Sequence, residues 1–122
     1  MEQTVYKYFE LCYDLLPFPV EVFNRKGFVF YVNNSFAKKW GYSLSELNGY
    51  SYISDTELVK RNITQKIDDV IKSKKTIVLK NYIDSRLLGG ERAAPFLKTT
   101  VFPVDIENEE YVVLFHEDQT DI

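Results

Sequence analysis

The stretch from Phe18 to Leu47 constrains this chain more than any other. Val20, Val22 and Phe23 make a short apolar strand, and Asn24-Arg25-Lys26-Gly27 reads as the turn that follows it. Gly27 supplies the positive φ that such a turn often needs. Phe28 to Val32 reads as a second strand, so the two form a hairpin. Asn33 then stands where an N-cap belongs, ahead of a short helix carrying Phe36, Ala37 and Trp40. Gly41 ends that helix. Ser43-Leu44-Ser45-Glu46 has the form of a capping box and opens one more short helical turn.

The remaining segments fit around this unit. Residues 1 to 16 read as a helix, with Val5, Phe9, Cys12 and Leu16 on one face and Pro17 as its stop. A helix this short is marginal alone in water, so its apolar stripe needs a partner. Two partners are open, the domain's own sheet or the same helix of a second copy, and both can hold. Residues 54 to 75 predict one long helix, opened by a Ser54/Glu57 capping box and striped by Val59, Ile63, Ile67, Val70 and Ile71. Asp68 and Asp69 read as solvated. Thr76 to Ile83 predicts a strand with Ile77, Leu79, Asn81 and Ile83 on one face and Val78, Lys80 and Tyr82 on the other. Asp84 to Pro95, with Gly89-Gly90, reads as a loop. Phe96 to Val104 and Tyr111 to Phe115 predict two more strands around a polar turn at Asp105 to Glu110. Strands and helices do not alternate as βα units, so the five strands predict an antiparallel sheet. Both faces of the last three strands are apolar. One face meets the helices, and the N-terminal helix is the candidate cover for the other.

Composition excludes several classes. At 122 residues and 45% hydrophobic content the chain is one globular domain with a sizeable core. A net charge of −3 and a pI near 5.2 give no basic field for nucleic acid or an anionic membrane. No apolar run reaches the length of a spanning helix, and no signal-peptide pattern is present. A single cysteine, Cys12, excludes an internal disulfide and fits a reducing cytoplasm. One His and one Cys rule out the usual all-protein zinc site. Gly89-Gly90 leads into Glu91-Arg92 rather than a phosphate-binding Lys-Ser/Thr. His116, the only histidine, lies in an apolar strand and reads as structural or surface rather than as part of a triad. The carboxylates gather at turns and helix ends (Asp55, Glu57, Asp105, Glu107, Glu109, Glu110), which argues against a small α+β enzyme.

Read together, Tyr31-Val32-Asn33, Phe36, Trp40-Gly41-Tyr42-Ser43 and Glu46-Leu47-Asn48-Gly49 resemble the N-terminal half of a PAS domain, a sensor module of bacterial signalling proteins. Val112-Val113-Leu114-Phe115 and Glu117-Asp118-Gln119-Thr120 resemble the family's last strand and closing Asp-x-Thr. The resemblance covers residues 17 to 120, with residues 1 to 16 as a flanking helix. It implies an α+β fold: a five-stranded antiparallel sheet with short helices and one long helix on one face. Residues 119 to 122 stand where a member would hand over to a connector helix.

The same resemblance implies a non-catalytic cytoplasmic sensory module. It would bind a small molecule or a partner and regulate an attached output domain, a histidine kinase of a two-component system being the commonest. The alternative is a ligand-free dimerisation module of a transcriptional regulator or diguanylate cyclase. A homodimer through Val5, Phe9, Cys12 and Leu16 is expected in either case. The photoadduct flavin of some members needs a Cys where Gly49-Tyr50-Ser51-Tyr52-Ile53 stands, so that chemistry is excluded. His-ligated haem would need a His between residues 55 and 75, and none is there. What the resemblance leaves is a pocket for an unidentified small metabolite, between sheet and helices. Val32 and Phe36 would flank the Asn33 cap, and Trp40, Ile53, Ile67, Ile71, Leu79, Leu97 and Val113 would line the rest. Asn81 and Thr99 are the polar candidates for orienting a ligand. A buried amide or hydroxyl left without a partner costs on the order of 1–3 kcal/mol. Large side chains such as Phe30, Phe36, Trp40 and Phe102 are equally suited to filling the space.

Overall fold

Alternation of Leu97, Thr99 and Val101 with Lys98, Thr100 and Phe102 has the period of a strand, and a strand is what forms. The computed structural model describes residues 2–42, 45–87 and 97–119. Helix α1 (Glu2–Tyr13) precedes the hairpin β1 (Val20–Asn24) and β2 (Val29–Val32). Helices α2 (Asn34–Trp40), α3 (Thr56–Lys60) and α4 (Ile63–Ser73) follow. Strand β3 (Ile77–Lys80) leads into a 3₁₀ turn, Ser85–Leu87, and β4 (Leu97–Ile106) and β5 (Glu109–Asp118) close the fold. The strands lie in the order β2-β1-β5-β4-β3, and every pairing is antiparallel.

The β1–β2 turn forms where the sequence places it. The Asn24 side chain accepts hydrogen bonds from the backbone N–H groups of Lys26 and Phe28, and Gly27 takes φ +93°. A Cβ at Gly27 would lie 2.5 Å from Cδ1 of Ile53, so a close approach adds to the φ requirement. The β4–β5 hairpin is tighter than its polar sequence predicts. Glu107 and Asn108 take φ of 52° and 66°, a two-residue loop whose twist matches that of the strands. Both strands therefore run beyond the expected Asp105–Glu110 turn.

Two apolar layers sandwich the sheet. One face carries Phe23, Leu79, Leu97, Val101, Val112 and Leu114, and packs on Phe36, Trp40, Leu58, Ile67 and Val70 of the helices. The other carries Val20, Val22, Tyr31, Tyr111 and Val113, and packs on Val5 and Phe9 of α1. The N-terminal helix thus covers the outer face of its own sheet.

The segment 54–75 divides where one helix was expected. Asn62 takes φ +62°, a left-handed conformation that no helix interior allows, and separates α3 from α4. The cap is Asp55 rather than Ser54. Its carboxylate accepts from the N–H groups of Glu57 and Leu58. This shift exposes Val59 and buries Leu58 in its place. Asp68 is not simply solvated: it accepts a 2.7 Å hydrogen bond from the Tyr52 hydroxyl. Residues 45 to 49 form turns rather than a second small helix, while Ser43 and Leu44 of the expected capping box lie outside the described residues. The same holds for Gly89-Gly90, Pro95, Phe96 and Thr120.

Candidate functional site

Asn33 is the joint on which the interior hangs. Its Oδ1 accepts from the N–H of Phe36 at 3.0 Å, capping α2, and from the N–H of Val20 at 2.9 Å. Its Nδ2 donates to the carbonyls of Tyr13 and Phe18, both at 2.9 Å. One buried amide therefore ties the end of α1, the start of β1 and the start of α2. The Gly41 cap at φ 71° ends α2 and aims Phe36 and Trp40 inward, with ring centroids 4.9 Å apart.

Of the expected pocket residues, Val32, Phe36, Trp40, Ile67, Leu79 and Leu97 converge in the helix-side core, with Ile71 packed at its margin. Thr99 is buried beside them. Three expectations are corrected. Ile53 is 47% exposed, because it sits over the Gly27 turn rather than under the sheet. Val113 lies on the opposite face, in the α1 layer, because the parity of β5 sends Val112 and Leu114 toward the helices. Asn81 is exposed: β3 ends at Lys80, and Asn81 takes φ +62°. That left-handed residue reverses the alternation and turns Tyr82 inward, fully buried. Among the expected dimer residues, Val5 and Phe9 are buried against their own sheet, Leu16 is half-buried in the same layer, and Cys12 is exposed.

The centre of the interior is charged, which periodicity did not reveal. Arg86, from the 3₁₀ turn, donates from Nη1 and Nη2 to the two oxygens of Glu21 at 2.6 and 2.9 Å. Its Nη2 also reaches Oδ2 of Asp84 at 2.7 Å. The guanidinium carbon sits 3.8 Å from the Tyr50 ring centroid and 5.6 Å from that of Phe36. Both carboxylates are buried, Glu21 completely. Burial pushes the Glu21 carboxyl up from its ordinary value, and Arg86 pulls against that shift. Burial also works against the Arg86 charge, but Glu21 and Asp84 outweigh it and hold the guanidinium protonated. Removing Arg86 alone would strand two buried carboxylates, a loss of about 3–5 kcal/mol by analogy with broken buried ion pairs.

A second layer of polar contacts holds this cluster in place. The Tyr82 hydroxyl donates to Asp84 at 2.9 Å, and the Tyr50 hydroxyl donates to Asp55. Asp55 also accepts from the N–H and hydroxyl of Ser85, the residue before Arg86. Burial raises the Asp55 carboxyl, yet the bonds from Tyr50, Ser85 and Leu58 hold it below its usual range. Thr99 Oγ1 and His116 Nδ1 lie 2.7 Å apart, so each satisfies the other. His116 also contacts the rings of Trp40 and Tyr82. Burial, and then the nearby Arg86 charge, lower its pKa to about 3, so it is neutral at ordinary pH. Glu21 carried a misleading signal: alternation with Val20 and Val22 reads as solvent-facing, whereas those valines face α1 and Glu21 is buried on the helix side. Arg86 carried none, because its entry depends on the Asn81 reversal.

Among the described residues, side chains pack closely in the helix-side interior. A groove of about 470 Å³ lies elsewhere, at the hairpin-turn end of the α1 layer. Val5, Phe30 and Tyr111 line it together with Arg25, Lys26, Glu107 and Glu109.

These features define a class, the PAS fold: an antiparallel sheet in the order β2-β1-β5-β4-β3, with an Asn-capped helix entering from the hairpin. Solved structures agree. The PAS domain of BvgS from Bordetella pertussis superposes with a TM-score of 0.72 at 14% identity, over 96% of this chain and 88% of that one. The PAS domain of an HTR-like protein from Haloarcula marismortui gives 0.66 at 16% identity, over 95% and 93%. A sensory box sensor histidine kinase from Vibrio cholerae gives 0.63 at 18%, over 97% and 94%. No protein-family model matches the sequence, and no curated protein is detectably similar to it. The chain has the PAS fold. No helix among the described residues is long and apolar enough to cross a membrane.

Proposed function

We propose that this chain is a non-catalytic sensory module that regulates an attached output domain, a histidine kinase in the first instance, in the cytoplasm of a bacterium. The observation that carries this reading is the PAS fold, together with neighbours described as parts of sensor histidine kinases. The site geometry supports it. Glu21 and Asp84 are committed to Arg86, and Asp55 to a helix cap and Tyr50, which is the bonding of structural groups rather than free acids or bases. Glu21 lies on β1, whose first residue is bonded to Asn33, which in turn holds the last turn of α1. Occupation of the interior by a small metabolite would therefore shift a packing equilibrium felt at the N-terminal helix. The test is made in the full-length protein. Asn33→Ala, which cuts the joint without touching the interior charges, is expected to change output activity at unchanged affinity for the output substrate. Output that ignores both Asn33→Ala and deletion of residues 1–119 would refute regulation.

A homodimer through α1 belongs to the same proposal. Tyr8, Leu11 and Leu15 are exposed along the outer side of the N-terminal segment, Leu11 at 87% and Leu15 at 95%, with Cys12 among them. A second reading, a ligand-free dimerisation module, is favoured by the close packing of side chains in the helix-side interior. Native mass spectrometry separates the two: a retained small molecule favours sensing, and a bare dimer favours the second.

A further inference from the structure

Arg86 is bound as a ligand would be. Its planar fork meets one carboxylate through two parallel bonds, a second carboxylate closes the side, and the Tyr50 ring covers the face. A bidentate carboxylate with a stacked ring recognises the shape of a guanidinium and not merely its charge. The group arrives from a short 3₁₀ turn rather than from a strand or a long helix, so it is a tethered occupant of a cage built mainly by other elements, with only Asp84 coming from its own segment two residues earlier. Glu21 comes from β1, Phe36 from α2, and Tyr50 from the segment before α3. The cage carries two buried carboxylates, and these cannot be left without a cation. Release of Arg86 therefore favours entry of another positively charged group, the alternative being protonation of the carboxylates.

We propose that the Glu21, Asp84 and Tyr50 corner is a guanidinium site occupied in cis by Arg86, and that a small molecule bearing a guanidinium or amidinium group is the ligand class that competes for it. The proposal rests on the sensory reading above and supplies its ligand chemistry. Displacement frees the Arg86 side chain from Glu21 while Asp84 stays held by the Tyr82 hydroxyl, changing the contact between β1 and the segment after β3. A tethered group competes at an effective concentration of about millimolar or higher, so the free ligand must gain from further contacts with the apolar lining.

The test uses ethylguanidinium chloride, with ethylammonium chloride as the point-charge control. Arg86→Ala opens the cage. Saturable stabilisation of this variant by ethylguanidinium is expected, at concentrations at least tenfold below those of ethylammonium. It should vanish in Glu21→Gln/Arg86→Ala. If Arg86→Ala does not fold unaided, refolding with ethylguanidinium is expected to restore its circular dichroism, and failure to do so counts against the site. In the wild-type chain the Nε–H resonance of Arg86 is expected to shift with a midpoint at least tenfold above that of Arg86→Ala. A resonance unmoved at a hundredfold excess over the variant's midpoint overturns the competing-ligand claim. Equal effects of the two salts overturn the guanidinium site itself. Either failure leaves the output assay on Asn33→Ala untouched, so the sensory reading stands or falls separately.

Discussion

His116 and Asp55 illustrate how burial sets the chemistry of single residues. His116 has its pKa lowered to about 3 by burial and by the Arg86 charge, against an ordinary value near 6.5. Below pH 6.5 the unfolded chain takes up a proton that the folded chain refuses. Its contribution is therefore complete above that pH and is lost as pH falls toward 3. The slope approaches about 1.4 kcal/mol per pH unit for one proton. Urea unfolding of wild type and His116→Gln between pH 7 and 5 should show the wild type losing stability faster by that amount. Asp55 has the opposite ledger, because its hydrogen bonds outweigh burial. Asp55→Ala removes the cap of α3 and the acceptor for Tyr50 and Ser85 together. The expected loss is about 2–4 kcal/mol, measured by chemical denaturation.

At the scale of elements, left-handed residues decide where helices and strands stop. Asn62 divides the segment 54–75, Lys74 ends α4 and Asn81 ends β3, with φ of 62°, 60° and 62°. Asn tolerates this region better than other non-glycine residues. Asn62→Gly is therefore expected to hold wild-type stability or gain slightly. Asn62→Val is expected to lose about 1–2 kcal/mol from the left-handed strain. Thermal melts of the two variants check the pair. A loss in both would mean that the Asn62 side chain, and not its backbone, matters. The Asn33 cap and the Gly27 turn were readable as local chemistry, because Asn before a helix and Gly in a hairpin turn act within a few residues.

For the whole molecule, α1 has two sides with different fates. Phe9 is fully buried against the sheet, stacked on Tyr13 and Tyr31 and edge-to-face with Tyr111, while Leu11 and, just past the helix, Leu15 are exposed. Phe9→Glu buries a charge and should destabilise the chain by more than about 3 kcal/mol whatever its oligomeric state. Leu11→Glu/Leu15→Glu should leave the melting temperature nearly unchanged. It should also halve the mass seen by light scattering, as the proposed dimer requires. An unchanged mass would remove α1 as the dimer contact.

Patterns within a dozen residues carried the five strands, the antiparallel sheet, the Asn33 cap and the two-sided burial of the sheet. Each follows from a period of two or 3.6, or from a cap or turn acting on its immediate neighbours. What fills the centre was decided only by the tertiary structure. Glu21 and Arg86 stand far apart in sequence and meet because Asn81 flips the chain after β3 and Ser85 anchors on Asp55. Long-range pairing of buried charges leaves no period behind, since it depends on where two distant segments cross rather than on what either one repeats.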